Sequence, residues 1–195
     1  MIKKTYLLTA CILALVSAAV SAQSFVEPVV PKTESKLIDN FEDGNYWLPA
    51  NSDWNQYGEP KVSIDAYVTT RWHSEGKYSL ECTMEKSGMN TTRSGIWYCD
   101  NNMDWTGYRY VVMDVYNPEN FVFTIQLAAQ ATNNWNWCQS GEYYFLPHGV
   151  HTLTFDISQF GEDNLKEIKR ILVMHNGGVT PAAGKFYIDN VRLYK

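Results

Sequence analysis

The residues with the clearest chemical potential form one run, Asn133-Asn134-Trp135-Asn136-Trp137-Cys138-Gln139. A sugar ring presents C–H groups on its faces and hydroxyls at its edge. Aromatic faces carry partial negative charge and suit those hydrogens, while amides offer the hydroxyls both donors and acceptors. In a strand, Trp135 and Trp137 would share one face and make a side-by-side platform. In a loop they would instead form a lip over a groove. The competing reading places one or both indoles in the core, as large aromatics often are. Neighbouring asparagines argue against that, because each unpaired buried amide is costly. All seven tryptophans lie between Trp47 and Trp137, which concentrates stacking capacity in one part of the chain.

Two polar residues join this set. Gln126 alternates with a strong apolar row and is expected to face solvent or a groove. Asp114, flanked on its strand face by Tyr110 and Tyr116, is the best lone acid, suited to accepting hydrogen bonds from hydroxyls. Catalytic patterns are not found. Glycoside hydrolysis needs two carboxylates facing one another across the bond, and no Glu-x-Asp-x-x-Glu strand is present. His148-Gly149-Val150-His151 carries no glutamate of the zinc-hydrolase kind, and there is no Gly-x-Ser-x-Gly elbow, phosphate loop or dinucleotide fingerprint. A non-enzymatic binding protein is therefore expected.

Strands must position these residues. Tyr78, Leu80, Cys82 and Met84 alternate with Ser79, Glu81, Thr83 and Glu85; Val111, Met113 and Val115 alternate with Tyr110, Asp114 and Tyr116. Phe121, Phe123, Ile125 and Leu127 form a third apolar row. A period of two marks strands with one buried face. Further strands are expected around 62–68, 96–99, 143–146, 151–157, 170–175 and 185–193, separated by turn formers such as Asn117-Pro118-Glu119-Asn120. The only helix candidate is a turn or two at 163–168. Many short strands at this spacing predict an all-β, two-sheet antiparallel β-sandwich.

The start of the chain reads as a secretory leader: Lys3-Lys4, an apolar stretch from Tyr6 to Val20, then Val20-Ser21-Ala22 before Gln23. Leu8-Thr9-Ala10-Cys11 has the residue types of a lipoprotein cleavage site, so lipid anchoring at Cys11 is the alternative. Residues 1–22 are thus read as signal peptide, 23–36 (two prolines, no periodicity) as linker, and 37–195 as one domain. Without the leader, 14 basic and 21 acidic residues leave a net charge of −7, which disfavours nucleic acid and anionic membrane and accepts a neutral polymer. No later segment is apolar enough to insert in a bilayer. Cys82, Cys99 and Cys138 would permit one disulfide in an oxidising compartment, with the pairing open.

Three segments in order carry a family likeness: Leu37-Ile38-Asp39-Asn40-Phe41-Glu42-Asp43-Gly44, Gly76-Lys77-Tyr78-Ser79-Leu80, and Lys185-Phe186-Tyr187-Ile188-Asp189-Asn190-Val191-Arg192-Leu193. Asp104-Trp105-Thr106-Gly107-Tyr108 and Thr154-Phe155-Asp156-Ile157-Ser158-Gln159-Phe160 extend it over most of 37–195. The pattern resembles the jelly-roll carbohydrate-binding modules of the galactose-binding-like superfamily, family 11 most of all. The resemblance implies a sandwich whose concave outer face receives a neutral polysaccharide, a β-glucan or similar glycan. It puts Tyr57 and the pair Trp97-Tyr98 where such modules carry ligand-facing aromatics, Trp97 being chosen because Ile96 and Tyr98 share the other strand face. His175 stands where the family tends to carry an aromatic residue, although a lone histidine after an apolar strand is more often structural, and Trp105 falls at a structural position. It also implies a structural calcium ion joining first and last strands, with carboxylates from Glu42 and Asp189 and backbone oxygens near Asn40 and Lys77. One departure matters: Gln159-Phe160-Gly161-Glu162-Asp163 lacks the basic residue and tyrosine common there, so a β-glucan preference does not carry over. A role within a larger glycan-degrading or envelope system fits this likeness. The alternative is an envelope structural or assembly protein using the same surface against another protein.

Overall fold

The computed structural model describes residues 33–49, 64–84, 94–141, 143–175 and 183–195. The leader, most of the linker and Tyr57 lie outside the described residues, as do the side chains of Trp97 and Cys99. The described chain forms strands β1 (Ser35–Asp39), β2 (Trp47–Pro49), β3 (Ile64–Thr69), β4 (Ser79–Met84), β5 (Ser94–Met103) and β6 (Tyr110–Asn117). These are followed by β7 (Phe123–Ala131), β8 (Asn136–Gln139), β9 (Tyr144–Leu146), β10 (Gly149–Asp156), β11 (Ile168–His175) and β12 (Gly184–Tyr194). Among the described residues, helix is confined to a 3₁₀ turn, Ser158–Phe160, and one α-helical turn, α1 (Glu162–Leu165).

Two antiparallel sheets result. Sheet A runs β10-β6-β12-β4-β3, with β1 also paired to β12; sheet B runs β2-β5-β11-β7-β8, with β9 paired to β7. The alternation in the sequence explains the layering. Leu80, Cys82 and Met84 of β4 and Val111, Met113 and Val115 of β6 point inward from sheet A. They meet Phe123, Ile125, Leu127, Ala129 and Ala131 of β7 and Ile171 and Val173 of β11 from sheet B. The chain is thus the expected all-β sandwich.

Trp47 and Trp105 are fully buried, which agrees with the structural role expected of Trp105. The Trp47 indole N–H donates to Asp39 Oδ2 at 2.9 Å, so its polar edge is satisfied inside. Cys82 and Cys138 are free buried thiols, and burial pushes both above the usual thiol pKa. No helix of the described residues is long and apolar enough to cross a membrane.

Two boundaries differ from expectation. β1 starts at Ser35, inside the stretch read as linker, because pairing Ser35–Leu37 with Tyr194–Arg192 satisfies backbone groups along β12. β7 starts at Phe123, and Phe121 is exposed. Asn117 Nδ2 donates to the carbonyls of Phe121 (2.7 Å) and Leu146 (3.0 Å), closing a turn ahead of the strand.

Candidate functional site

The outer face of sheet B is built from the residues that the core does not use. Along β11, Leu172 and Met174 alternate with core residues Ile171 and Val173 and form a separate buried cluster with Ala128 of β7. Cross-strand register then sets the neighbours: Gln126 stands opposite Met174, Ala128 opposite Leu172, and Gln130 opposite Arg170. Beyond them, Trp137 of β8 stands opposite Gln130 and Gln139 opposite Ala128. At the other edge, Trp97 of β5 pairs with Leu172 on one side and with the exposed Leu48 on the other.

Trp135 and Trp137 are 49% and 42% exposed, respectively. Both alternatives read from the sequence are partly realised. Cys138 enters the core, so Trp137 lies on the outer face of a true strand. Trp135 closes the β7–β8 turn, its N–H donating to the Thr132 carbonyl at 3.1 Å, with φ at 56°. The guanidinium of Arg170 sits 5.1 Å from the Trp135 ring centroid and donates to Gln130 Oε1 at 3.1 Å. The Trp137 indole N–H donates to Gln139 Oε1 at 3.3 Å. The hairpin is anchored on the chain below: Thr132 N donates to the Glu167 carbonyl at 2.8 Å, and Asn136 Nδ2 to Asn164 Oδ1 at 3.0 Å. Arg170 and Gln130 were missed in the sequence. The strict alternation of Arg170, Leu172 and Met174 against Ile171 and Val173 is the signal that could have found the arginine.

Other expected site residues fall elsewhere. Gln126 does not point to solvent: it is 1% exposed, its Nε2 donates to the Ser140 carbonyl at 3.0 Å, and Oε1 has no hydrogen-bond partner. His175 is fully buried, its Nδ1 3.0 Å from the Thr124 carbonyl and its ring edge-on to Phe123. Asp114 lies on sheet A, not sheet B. It accepts hydroxyl hydrogen bonds as expected, but from the protein itself: Thr152 Oγ1 and Ser74 Oγ, each at 2.7 Å. Sheet B therefore brings together Trp135, Trp137 and the backbone position of Trp97, while Asp114 belongs to the opposite face of the molecule.

The residues read as calcium ligands meet hydrogen-bond donors instead. Glu42 Oε1 accepts from Lys77 N–H (2.7 Å) and Tyr78 N–H (2.8 Å), and these bonds hold its carboxyl below the ordinary pKa. Asp189 Oδ2 accepts from the N–H groups of Ser74 (2.7 Å) and Glu75 (3.0 Å), and Oδ1 from Asn190 N–H (2.7 Å). Burial pushes the Asp189 carboxyl up against the pull of these donors. Asn40 Oδ1 accepts from Glu42 N–H at 3.4 Å. Among the described residues no three His, Cys, Asp or Glu side chains gather as an ion site.

The arrangement of two antiparallel sheets matches solved structures over most of the chain. A family 11 carbohydrate-binding module from Clostridium thermocellum, solved with a β-1,3-1,4-mixed-linked tetrasaccharide, aligns with a TM-score of 0.62 at 15% identity, over 84% of this chain and 97% of that one. The CBM27-1 module of Caldicellulosiruptor saccharolyticus, in complex with mannohexaose, aligns with a TM-score of 0.60 at 19% identity, over 83% and 97%. The CBM22-1 xylan-binding domain from Paenibacillus barcinonensis gives 0.55 at 13% identity, over 85% and 97%. This is the jelly-roll fold of the carbohydrate-binding modules. No protein-family model matches the sequence, and no curated protein matches it. The jelly roll thus carries, on the outer face of sheet B, two exposed indoles fringed by amides.

Proposed function

We propose that this protein is a non-catalytic module that binds a neutral polysaccharide at the β7–β8 edge of sheet B, where the indoles are exposed, the middle of that face (Gln126, Ala128, Leu172, Met174) being buried. Trp135 and Trp137 supply the stacking surfaces, and Gln130 and Gln139 meet hydroxyls at the edges of the rings. The observation that carries this reading is the pair of exposed indoles on one anchored hairpin, one of them braced by Arg170. Solved modules of the same fold hold mixed-linkage β-glucan and mannohexaose, which supports a glycan as the ligand class. Among the described residues, the outward positions of β7, β8 and β11 carry no carboxylate, so these three strands offer no pair for acid–base hydrolysis. The leader adds secretion to the proposal, with cleavage after Ala22 favoured over lipidation at Cys11; the mature N-terminus read by mass spectrometry decides between them.

Single sites of this kind bind weakly, because desolvating hydroxyls offsets much of each new hydrogen bond. Affinity electrophoresis suits that regime. Migration through gels containing mixed-linkage β-glucan, mannan, xylan and microbial polysaccharides is expected to be retarded by at least one of them. Folded protein that runs freely through every gel would refute the proposal.

A further inference from the structure

The indole platform occupies one end of a longer edge. β8 and β9 both pair with β7, β8 along Ala128–Ala131 and β9 along Phe123–Ile125, so the register of β7 fixes where their side chains stand relative to one another. Phe123, Ile125, Leu127, Ala129 and Ala131 of β7 enter the core, which turns the alternate positions to the outer face. Trp137 stands opposite Gln130, Gln139 opposite Ala128, and Phe145 opposite Thr124. All three therefore project from the same side of sheet B.

Phe145 is 47% exposed. Its neighbours explain why it faces out: Leu146 is buried in the core, and the Tyr144 ring is edge-on to Phe155 while its hydroxyl donates to the Thr154 carbonyl. A single exposed phenylalanine is ordinary. This one is held in line with an indole by the register of one strand. The link between β8 and β9 is drawn against β7 by Ser140, whose N–H and hydroxyl donate to the Leu127 carbonyl at 2.9 and 3.0 Å. Gln126 Nε2 donates to the Ser140 carbonyl at 3.0 Å, so this buried amide fastens the link from below. Six residues of β7 separate Gln130 from Thr124, which sets Trp137 and Phe145 roughly 20 Å apart along the strand direction. A trisaccharide cannot bridge that span, and a hexasaccharide can.

We propose that Phe145 is a further stacking position for the glycan, and that the glycan chain runs along the β8–β9 edge, from Trp135 and Trp137 past Gln139 to Phe145. This rests on the polysaccharide-binding reading above and gives it a direction, parallel to β7. The consequence is a dependence on ligand length. A short oligosaccharide stacks on the indoles alone, whereas a long one reaches both ends and gains the second contact without a second association.

Trisaccharides and hexasaccharides prepared from each polysaccharide that retards the protein, titrated calorimetrically into the full chain, test this. The hexasaccharide should bind about fivefold or more tightly than the trisaccharide, the worth of one further aromatic contact. In Phe145→Thr, which removes the ring but keeps a residue favoured in strands, hexasaccharide affinity should fall about fivefold and trisaccharide affinity change by less than about twofold. Phe145→Tyr keeps a ring and should keep the hexasaccharide affinity. Equal affinities for the two lengths in the unaltered chain overturn the proposal, and that comparison needs no variant to fold. A Phe145→Thr chain that binds both lengths as before overturns it too, as does an equal loss for both, which would make Phe145 part of one short site. Loss in Trp137→Ala with none in Phe145→Thr would leave the indole site standing and remove only the path to β9; free migration through every polysaccharide gel would remove both.

Discussion

Trp135 holds φ at 56°, a left-handed conformation that asparagine and glycine adopt easily and a bulky side chain adopts at a cost. Three asparagines surround it in sequence, so a residue better suited to that backbone is common locally and is not used at this position. An outlier of this kind points to a task for the side chain itself. That task can be separated from stability with Trp135→Asn. The variant is expected to melt at the same temperature or slightly higher, with a gain of up to about 1 kcal/mol from the relieved backbone. Its retardation by polysaccharide should fall by about tenfold in affinity, equivalent to about 1.4 kcal/mol. Trp137→Ala should lose binding similarly, because the Trp137 ring is exposed on the same hairpin and supplies the second stacking surface. If both substitutions leave retardation intact, sugar stacks somewhere other than this hairpin.

At the scale of the element, the β3–β4 connection depends on charge, through the pair of Arg71 with Glu81. Glu81 is a fully buried carboxylate in β4. Burial works to raise its pKa, but hydrogen bonds from Lys185 and Tyr67 and the charges of Lys185 and Arg71 outweigh it, so the net shift is below the ordinary 4.5. A depressed folded-state pKa means that the ionised form is favoured by folding. The contribution is therefore full above about pH 4.5 and is lost as pH falls through the lower folded value. Glu81→Gln should lower Tm by about 5 °C at neutral pH, and the gap to the unaltered chain should close toward pH 3. A gap that is constant with pH would mean that shape, not charge, sets the role of Glu81.

The same scale explains what was legible in the sequence. β4, β6, β7, β10, β11 and β12 announce themselves because alternation is local and each has a row of apolar residues. β1 and β2, at five and three residues, are too short for a period to show and exist because a neighbouring strand offers hydrogen bonds. The candidate site was legible where polarity was local, in the asparagine-fringed indoles. Alternation says which residues leave the core, but not which sheet they leave from, so Asp114 was grouped with residues on the other side of the molecule. Nor does it say whether an outward face is wet. Gln126 was expected to face solvent or a groove and is buried beside the apolar pair Ala128 and Met174, which only the register of β7 against β11 reveals, and the burial of His175 matches the structural role that a lone histidine after an apolar strand more often has.

For the whole molecule, the two outer faces have become different surfaces. Sheet A is covered by a connection held through carboxylates, with Asp114, Glu81 and Asp189 all consumed by internal partners. Sheet B carries amides, an arginine and indoles. The chain without its leader carries a net charge of −7, and most of that charge has no part in the proposed contact. Binding through ring stacking and neutral hydrogen bonds should then ignore ionic strength, since screening acts on charge pairs and scarcely on dispersion. Affinity for a neutral glycan is expected to change by less than about twofold between 50 mM and 500 mM salt, a range over which the Debye length falls from above to well below 10 Å. Tyr67→Ala, on the outer face of sheet A, should leave that affinity unchanged, although it removes a hydrogen bond to Glu81 and costs some stability. A steep loss of binding with salt would indicate that the acidic surface attracts a basic polymer or protein, and a loss in Tyr67→Ala would place the ligand on sheet A. Insensitivity to both, together with loss in Trp135→Asn and Trp137→Ala, confines recognition to one face of the sandwich.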